Sequence, residues 1–229
     1  MDGPTADALQ EAFERFAADD DARVLVLTGE GEQAFCAGAD LKRIVTLDAR
    51  LDSPAGPLGF TRLASPKPTI AAISGWCLAG GLELALWCDL RVGTPSARLG
   101  FTERRFGVPL IDGGTQRLPL IVGMGRALDL IITGRVVEAP EALAMGLLTE
   151  VVEEGEHVVR ALAMAEGIAA VPQETMLSDR QAALEGSGLA LSDGLVLEAR
   201  LGSDRTGVAR TGAARFAAGE GRGGSGTGV

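Results

Sequence analysis

The stretch "PTIAAISGWCLAGGLELALWCDLRVG", residues 68 to 93, most narrows what this chain can fold into. It opens with an apolar run that shows no alternation, the pattern of a strand covered on both faces. After the glycines at 80 and 81, "LELALWCDL" is apolar at nearly every position and predicts a buried helix. "LRVG" then returns as a strand, and "ARLGF" follows as another. Upstream, "RVLVLTG" is one more buried strand, and "PTADALQEAFERFAAD" carries Leu9, Phe13 and Phe16 at helical spacing behind a candidate N-cap, Thr5. Buried strands separated by helices predict an α/β fold with largely parallel pairing.

From Thr115 on, "TQRLPLIVG", "GRALDLIITG" and "EALAMG" read as helices closed by glycine, with "LLTEVV" as a last strand. Residues 155 to 218 are Ala-rich and helical without strand signals, and residues 219 to 229 read as a flexible Gly-rich tail. The expected organisation is therefore an α/β core over 1–154, a helical region over 155–218 and the tail. No internal repeat is visible.

Composition removes several classes of function. A net charge of -10 opposes nonspecific attraction to nucleic acid or anionic lipid, so an anionic ligand must be held by local donors. No apolar run reaches the roughly 18 residues that span a membrane, and no signal peptide is evident. Cys36, Cys77 and Cys88 form no CxxC pair, which fits a reduced, cytoplasmic protein. The single histidine, His157, cannot build a multi-histidine zinc site, and its sequence context reads as the surface start of a helix.

Two motifs compete for the site. "VLVLTGEGEQA" has the outline of a dinucleotide fingerprint, yet the chain continues into Phe35-Cys36-Ala37-Gly38 where that fingerprint needs a helix to open. No P-loop is present. The stronger signal is Glu83, set in a helix without a polar face, where an ionised carboxylate costs several kcal/mol unless it is paired or faces a cavity. Glu103 follows 20 residues on, at the end of a short strand entering a Gly/Pro loop beside Arg104 and Arg105. Two carboxylates converging on one water can divide the roles of base and acid. Small residues at 37–39 and 79–81 let backbone N–H groups approach a ligand oxygen, and two such donors on one carbonyl stabilise an enolate.

Taken together, "AFCAGADL", "SPKPTIAAISGWCLAGGLELALWCDLRV" and "GVPLIDGGTQRL" resemble the crotonase, or enoyl-CoA hydratase/isomerase, family from about residue 5 to about residue 150, and more loosely through "GAARFAAGEG". The resemblance implies an α/β spiral of ββα units with a helical C-terminal trimerisation region, assembled as a homotrimer or a dimer of trimers. It implies an enoyl-CoA hydratase acting on an acyl-CoA, as in fatty acid metabolism, with no cofactor besides the CoA of the substrate and no metal. Carried onto this chain, the oxyanion donors are the amides of Ala39 and Gly80. Glu83 activates water and Glu103 exchanges the proton at C2. Ala37, Gly38, Asp40, Leu41, Trp76, Gly81, Val108 and Asp112 would contact substrate. Lys42 and Arg43, with Lys67, are candidate partners of the CoA phosphates and read equally well as solvated cations.

Double-bond isomerisation and a catalytically silent oligomer subunit are the alternative readings. Dienoyl-CoA isomerases place an aspartate eight residues beyond the second acid, where this chain has Ile111, with Asp112 next. Family members begin with strands and a segment like "RPxxxNA", whereas this chain begins at "MDGPTADAL". The expectation is weak binding of CoA esters and reliance on subunit contacts.

Overall fold

The first six strands go alternately to two different sheets, and this alternation organises the chain. In a computed structural model describing residues 1–220, α1 (Gly3–Ala18) leads to β1 (Leu25–Thr28), β2 (Ala34–Cys36) and a short 3-10 helix at Ile44–Arg50. Next come β3 (Thr69–Ile73), β4 (Trp76–Leu78), α2 (Gly80–Trp87), β5 (Leu90–Gly93), β6 (Arg98–Gly100) and a second 3-10 helix at Thr102–Phe106. Then α3 (Gly114–Val122), α4 (Met124–Thr133), β7 (Val136–Glu138), α5 (Ala139–Ala144) and β8 (Glu150–Val151) follow. Four helices end the described residues: α6 (His157–Ala170), α7 (Gln173–Gly186), α8 (Leu191–Ser203) and α9 (Thr206–Ala217). The tail expected over 219–229 lies, from 221 on, outside the described residues.

One sheet has the order β1-β3-β5-β8 and the other β2-β4-β6-β7. All neighbours are parallel except β6 and β7, which pair antiparallel through Leu99 and Val137. Each pass of the chain thus adds one strand to either sheet, which is the expected spiral. The apolar run at Thr69–Ile73 has β1 on one side and β5 on the other, with every residue buried. Between β3 and β4 the chain turns at Gly75, φ +59°, where a β-carbon would stand 2.0 Å from the Gln33 carbonyl oxygen. Only glycine permits that approach.

Seven of the eight residues of α2 are buried, so the helix is covered on all sides. The buried Arg91 guanidinium donates to the Cys88 carbonyl at the end of the helix (2.7 Å) and to the Leu147 carbonyl ahead of β8 (2.8 Å), which satisfies one acceptor left open at the helix end. Trp87 packs edge-on to Phe13 and against Phe60, and its indole N–H donates to the Leu63 carbonyl at 2.8 Å. This holds the loop at 55–63 against the core, where it becomes one wall of the cavity described below.

Two local expectations need correction. Asp2, not Thr5, caps α1: its Oδ1 accepts from the Thr5 amide at 3.0 Å and from the Thr5 hydroxyl at 2.7 Å. The short strands β2, β4 and β7 are absent from the sequence reading, because three residues are too few to show a period.

The chain divides into two compact units, Met1–Leu162 and the residues from Ala163 on, with the division inside α6. In the second unit α7 packs on α8, and α8 and α9 bury no residue although Leu191, Leu195, Val196 and Phe216 lie in them. Among the described residues no helix is long and apolar enough to cross a membrane.

Candidate active site

The site begins where α2 begins. Ala79, just before the helix, has φ +54° and is the one non-glycine with positive φ among the described residues. Such backbone costs about 1–3 kcal/mol, and here it is anchored by the Ala79 amide donating to the Gly100 carbonyl at 2.8 Å. Gly38, φ +89°, lies against it: a β-carbon there would stand 3.0 Å from the Gly80 nitrogen and 2.9 Å from the Ala79 Cβ. Two glycine-containing turns far apart in sequence are thus brought backbone to backbone. Among the described residues neither the Ala39 nor the Gly80 N–H donates a hydrogen bond, so both remain available to a ligand.

Glu83 stands one turn further along α2, 3% exposed. Its Oε1 accepts from the amides of Asp112 (3.0 Å) and Gly114 (2.8 Å). Burial outweighs these two donors and pushes its carboxyl up to about 7, and the nearby carboxyls of Asp112 and Glu103 push the same way. Gly114 has to be bare, since a β-carbon would stand 3.0 Å from both Cγ and Oε1 of Glu83 and 2.9 Å from the Phe101 ring.

Glu103 lies not at a strand end but in the 3-10 helix Thr102–Phe106, three residues beyond the end of β6. It is 7% exposed, and neither of its carboxylate oxygens has a partner. Arg104, next in sequence, sends its Nε to the Ile131 carbonyl at 3.3 Å. Burial raises the Glu103 carboxyl above its usual range. The two glutamates therefore differ in kind: one is held by two N–H donors, the other is buried and unheld.

Asp112 is also buried. Its Oδ1 accepts from the Leu58 amide at 3.1 Å and from the Thr61 hydroxyl, and burial raises its carboxyl.

These groups open on one cavity of about 410 Å³. Ala37, Ala39, Leu41, Gly80, Glu83, Glu103, Val108 and Asp112 all line it. So do Leu47, Leu51, Leu58, Phe106 and Ile111, which sequence reading passed over because apolar residues in loops carry no period. Among the described residues the polar side chains on the wall are carboxylates and Thr102, and none that lines it is cationic.

Four expected contacts stand elsewhere. Trp76 is half exposed in β4 and borders a second cavity, with Arg98, Arg105 and Glu138, because alternation along the strand turns it away from the buried Cys77. Gly81 packs α2 on β2: a β-carbon would stand 2.0 Å from the Cys36 carbonyl oxygen. Gly38 and Asp40 shape the turn without lining the cavity, the Asp40 carboxylate accepting from the Lys42 amide at 2.9 Å.

Arg43 pairs with Asp2, and the Lys67 ammonium donates to the carbonyls of Phe16 and Asp19 at the end of α1. Lys42 is exposed. His157 does start a helix, but it is buried rather than on the surface, with Nδ1 unpartnered. Among the described residues no group of three or more His, Cys, Asp or Glu could hold a metal ion.

Fold and site together define an α/β enzyme of the crotonase type, and the comparisons with known proteins agree. The model of the enoyl-CoA hydratase/isomerase family matches residues 2–217, and the chain belongs to that family. A probable enoyl-CoA hydratase of Rhizobium meliloti is 38% identical over 195 residues, covering 84% of this chain and 76% of the relative. An (E)-benzylidenesuccinyl-CoA hydratase of Thauera aromatica is 37% identical over 199 residues, with the same coverage of both. Among solved structures, an enoyl-CoA hydratase from Mycobacterium marinum superposes with a TM-score of 0.86 at 32% identity, covering 94% of this chain and 86% of its own.

Proposed function

We propose that this chain is an enoyl-CoA hydratase, adding water reversibly across the 2,3 double bond of an acyl-CoA thioester. The observation that carries the reading is the contrast between the two buried glutamates on one cavity. Glu83, its carboxyl pushed up to about 7 and its charged form held by the amides of Asp112 and Gly114, suits a base. Glu103, with no donor to stabilise its charge, suits an acid that keeps its proton.

In this reading the thioester oxygen lies between the N–H groups of Ala39 and Gly80. Water attacks C3 as Glu83 takes one of its protons, and the electron pair of the double bond moves onto the thioester as an enolate. The enolate is stabilised by the two amides, a donor of this kind being worth about 2.7–4 kcal/mol. Glu103 then delivers its proton to C2. The product is the 3-hydroxyacyl-CoA, and a proton passed from Glu83 to Glu103 resets the pair. Water, two carboxyl groups and two amides complete the balance, so the chemistry needs neither a metal nor a cofactor beyond the CoA of the substrate.

The chain acts in this reading as a soluble, cytoplasmic homo-oligomer, a trimer or a dimer of trimers. Support comes from the exposed Leu120, Met124, Leu128 and Ile132 of α3 and α4 and from the apolar residues that α8 and α9 leave exposed. The deciding experiment follows the conjugated absorbance of crotonyl-CoA with purified protein. Hydration removes it, and Glu83→Gln or Glu103→Gln should each slow that loss by about 10²-fold or more. Full hydration by Glu103→Gln would overturn the two-glutamate mechanism, and absorbance that never falls would overturn the hydratase.

A further inference from the structure

The aspartate beside the proposed base is built in an unusual way. Asp112 uses both ends: its amide holds Glu83 Oε1 at 3.0 Å, and its carboxylate holds the Leu58 amide and the Thr61 hydroxyl. Leu58 in turn reaches Gly80, where a β-carbon would stand 2.3 Å from Leu58 Cδ1. Gly56, φ +97°, leaves the room this arrangement needs, since a β-carbon there would fall 2.3 Å from Thr61 Oγ1 and 3.2 Å from Asp112 Oδ1.

Two arginines lie near, and the hydrogen bonds of both go to backbone carbonyls. Arg117 donates to the Asp112 carbonyl (2.9 Å) and the Thr61 carbonyl (2.6 Å), and Arg62 donates to the carbonyls of Ile111, Leu51 and Ser53. A purely structural buried carboxylate next to two arginines would be expected to bond one of them directly, because an unpaired charge is costly to bury. This one is held by neutral donors, and among the described residues neither arginine bonds its carboxylate.

We propose that Asp112 is a positioning residue whose amide holds the Glu83 carboxylate while its side chain holds the loop at 55–63, so that one residue fixes both the base and the wall over the oxyanion turn. The charged and titratable groups facing Glu83 are Asp112, Glu103 and Arg117, with Arg62 beyond Asp112. Removing the negative charge of Asp112 makes ionisation of Glu83 easier, because a like charge no longer opposes it. Removing the whole carboxyl also strands the Leu58 amide and the Thr61 hydroxyl.

The proposal rests on the role assigned to Glu83, and the test keeps the two separable. Asp112→Asn keeps the size and one acceptor oxygen, whereas Asp112→Ala keeps neither. The Glu83 titration is read by infrared difference between each protein and its Glu83→Gln counterpart, which needs no turnover. We expect the Glu83 titration to fall by about one pH unit in Asp112→Asn, with a melting temperature no lower than that of the wild type. We expect Asp112→Ala to lose about tenfold more kcat/KM on crotonyl-CoA than Asp112→Asn. An unmoved titration in Asp112→Asn overturns the proposal whether or not Asp112→Ala folds, as does a kcat/KM for Asp112→Ala within twofold of the amide variant. Wild-type protein without hydration would end the functional reading, and the titration alone would then decide for or against Asp112.

Discussion

The amide of Gly114 donates to Oε1 of Glu83 across 2.8 Å, and a β-carbon on Gly114 would stand 3.0 Å from that same oxygen. The donor that holds the proposed base is therefore available only because its residue has no side chain. Gly114→Ala should displace Glu83 or the Phe101 ring and lower kcat by about 10- to 100-fold, while KM changes little. Steady-state kinetics on crotonyl-CoA, with circular dichroism to confirm folding, measures this. Wild-type kcat in a folded Gly114→Ala protein would show that Glu83 does not depend on that amide.

The raised carboxyl of Glu83 has a consequence for stability. A carboxyl at about 7 in the folded protein and about 4.5 unfolded binds its proton more tightly when folded. Its contribution is therefore fully present below pH 4.5 and is lost as pH rises through 7. The loss is roughly 3 kcal/mol, from about 1.4 kcal/mol per pH unit of difference. Glu83→Gln cannot ionise, so it should melt at a higher temperature than wild type at pH 8 and approach it near pH 4.5. Melts from pH 4.5 to 8.5 that stay parallel would rule this out.

Gly80 separates backbone donation from packing. A β-carbon there would overlap Leu58 Cδ1, the end of a side chain, at 2.3 Å, while the next atoms, Gly38 Cα and Leu58 Cγ, stand at an ordinary 3.6 Å, so the fold can adjust. Gly80→Val should cut turnover by about 10²-fold or more by screening the amide from the thioester oxygen, with a small change in melting temperature. Equal damage to both would mean the glycine serves packing.

If the two glutamates act on one water as a unit, their effects cannot multiply. The Glu83→Gln/Glu103→Gln double variant should fall well short of the product of the single losses. Single-turnover rates on crotonyl-CoA decide this, and multiplicative losses would place the residues in independent steps.

The exposed apolar faces predict assembly. An oligomer held together by them should melt at a temperature that falls on dilution, by mass action. Light scattering together with melts across a hundredfold dilution checks this, and a monomer with a dilution-independent melt would contradict it.

What the sequence determined by itself is what local pattern encodes. The runs that became β3 and β5 are buried almost throughout, so their residue types alone report the burial, whereas β1, expected to be buried in the same way, is only half-buried because it lies at the edge of its sheet. The apolar α2 made Glu83 conspicuous because a carboxylate there must have a reason. The glycines at 38 and 80 and the second acid at 103 were legible for the same kind of reason, as residues a packed core does not need.

What only the tertiary structure decided is who meets whom. The amides holding Glu83 come from Asp112 and Gly114, in a loop whose own sequence shows nothing of a carboxylate across the cavity. Asp112 anchors Leu58 and Thr61, more than 50 residues upstream. The three-residue strands β2, β4 and β7 exist only through their neighbours, and Trp76 was turned from the cavity by the pleat of one of them. Hydrogen-bond partners and strand pairings are set by distance in space. A single sequence records burial and flexibility residue by residue, but it records distance only along the chain.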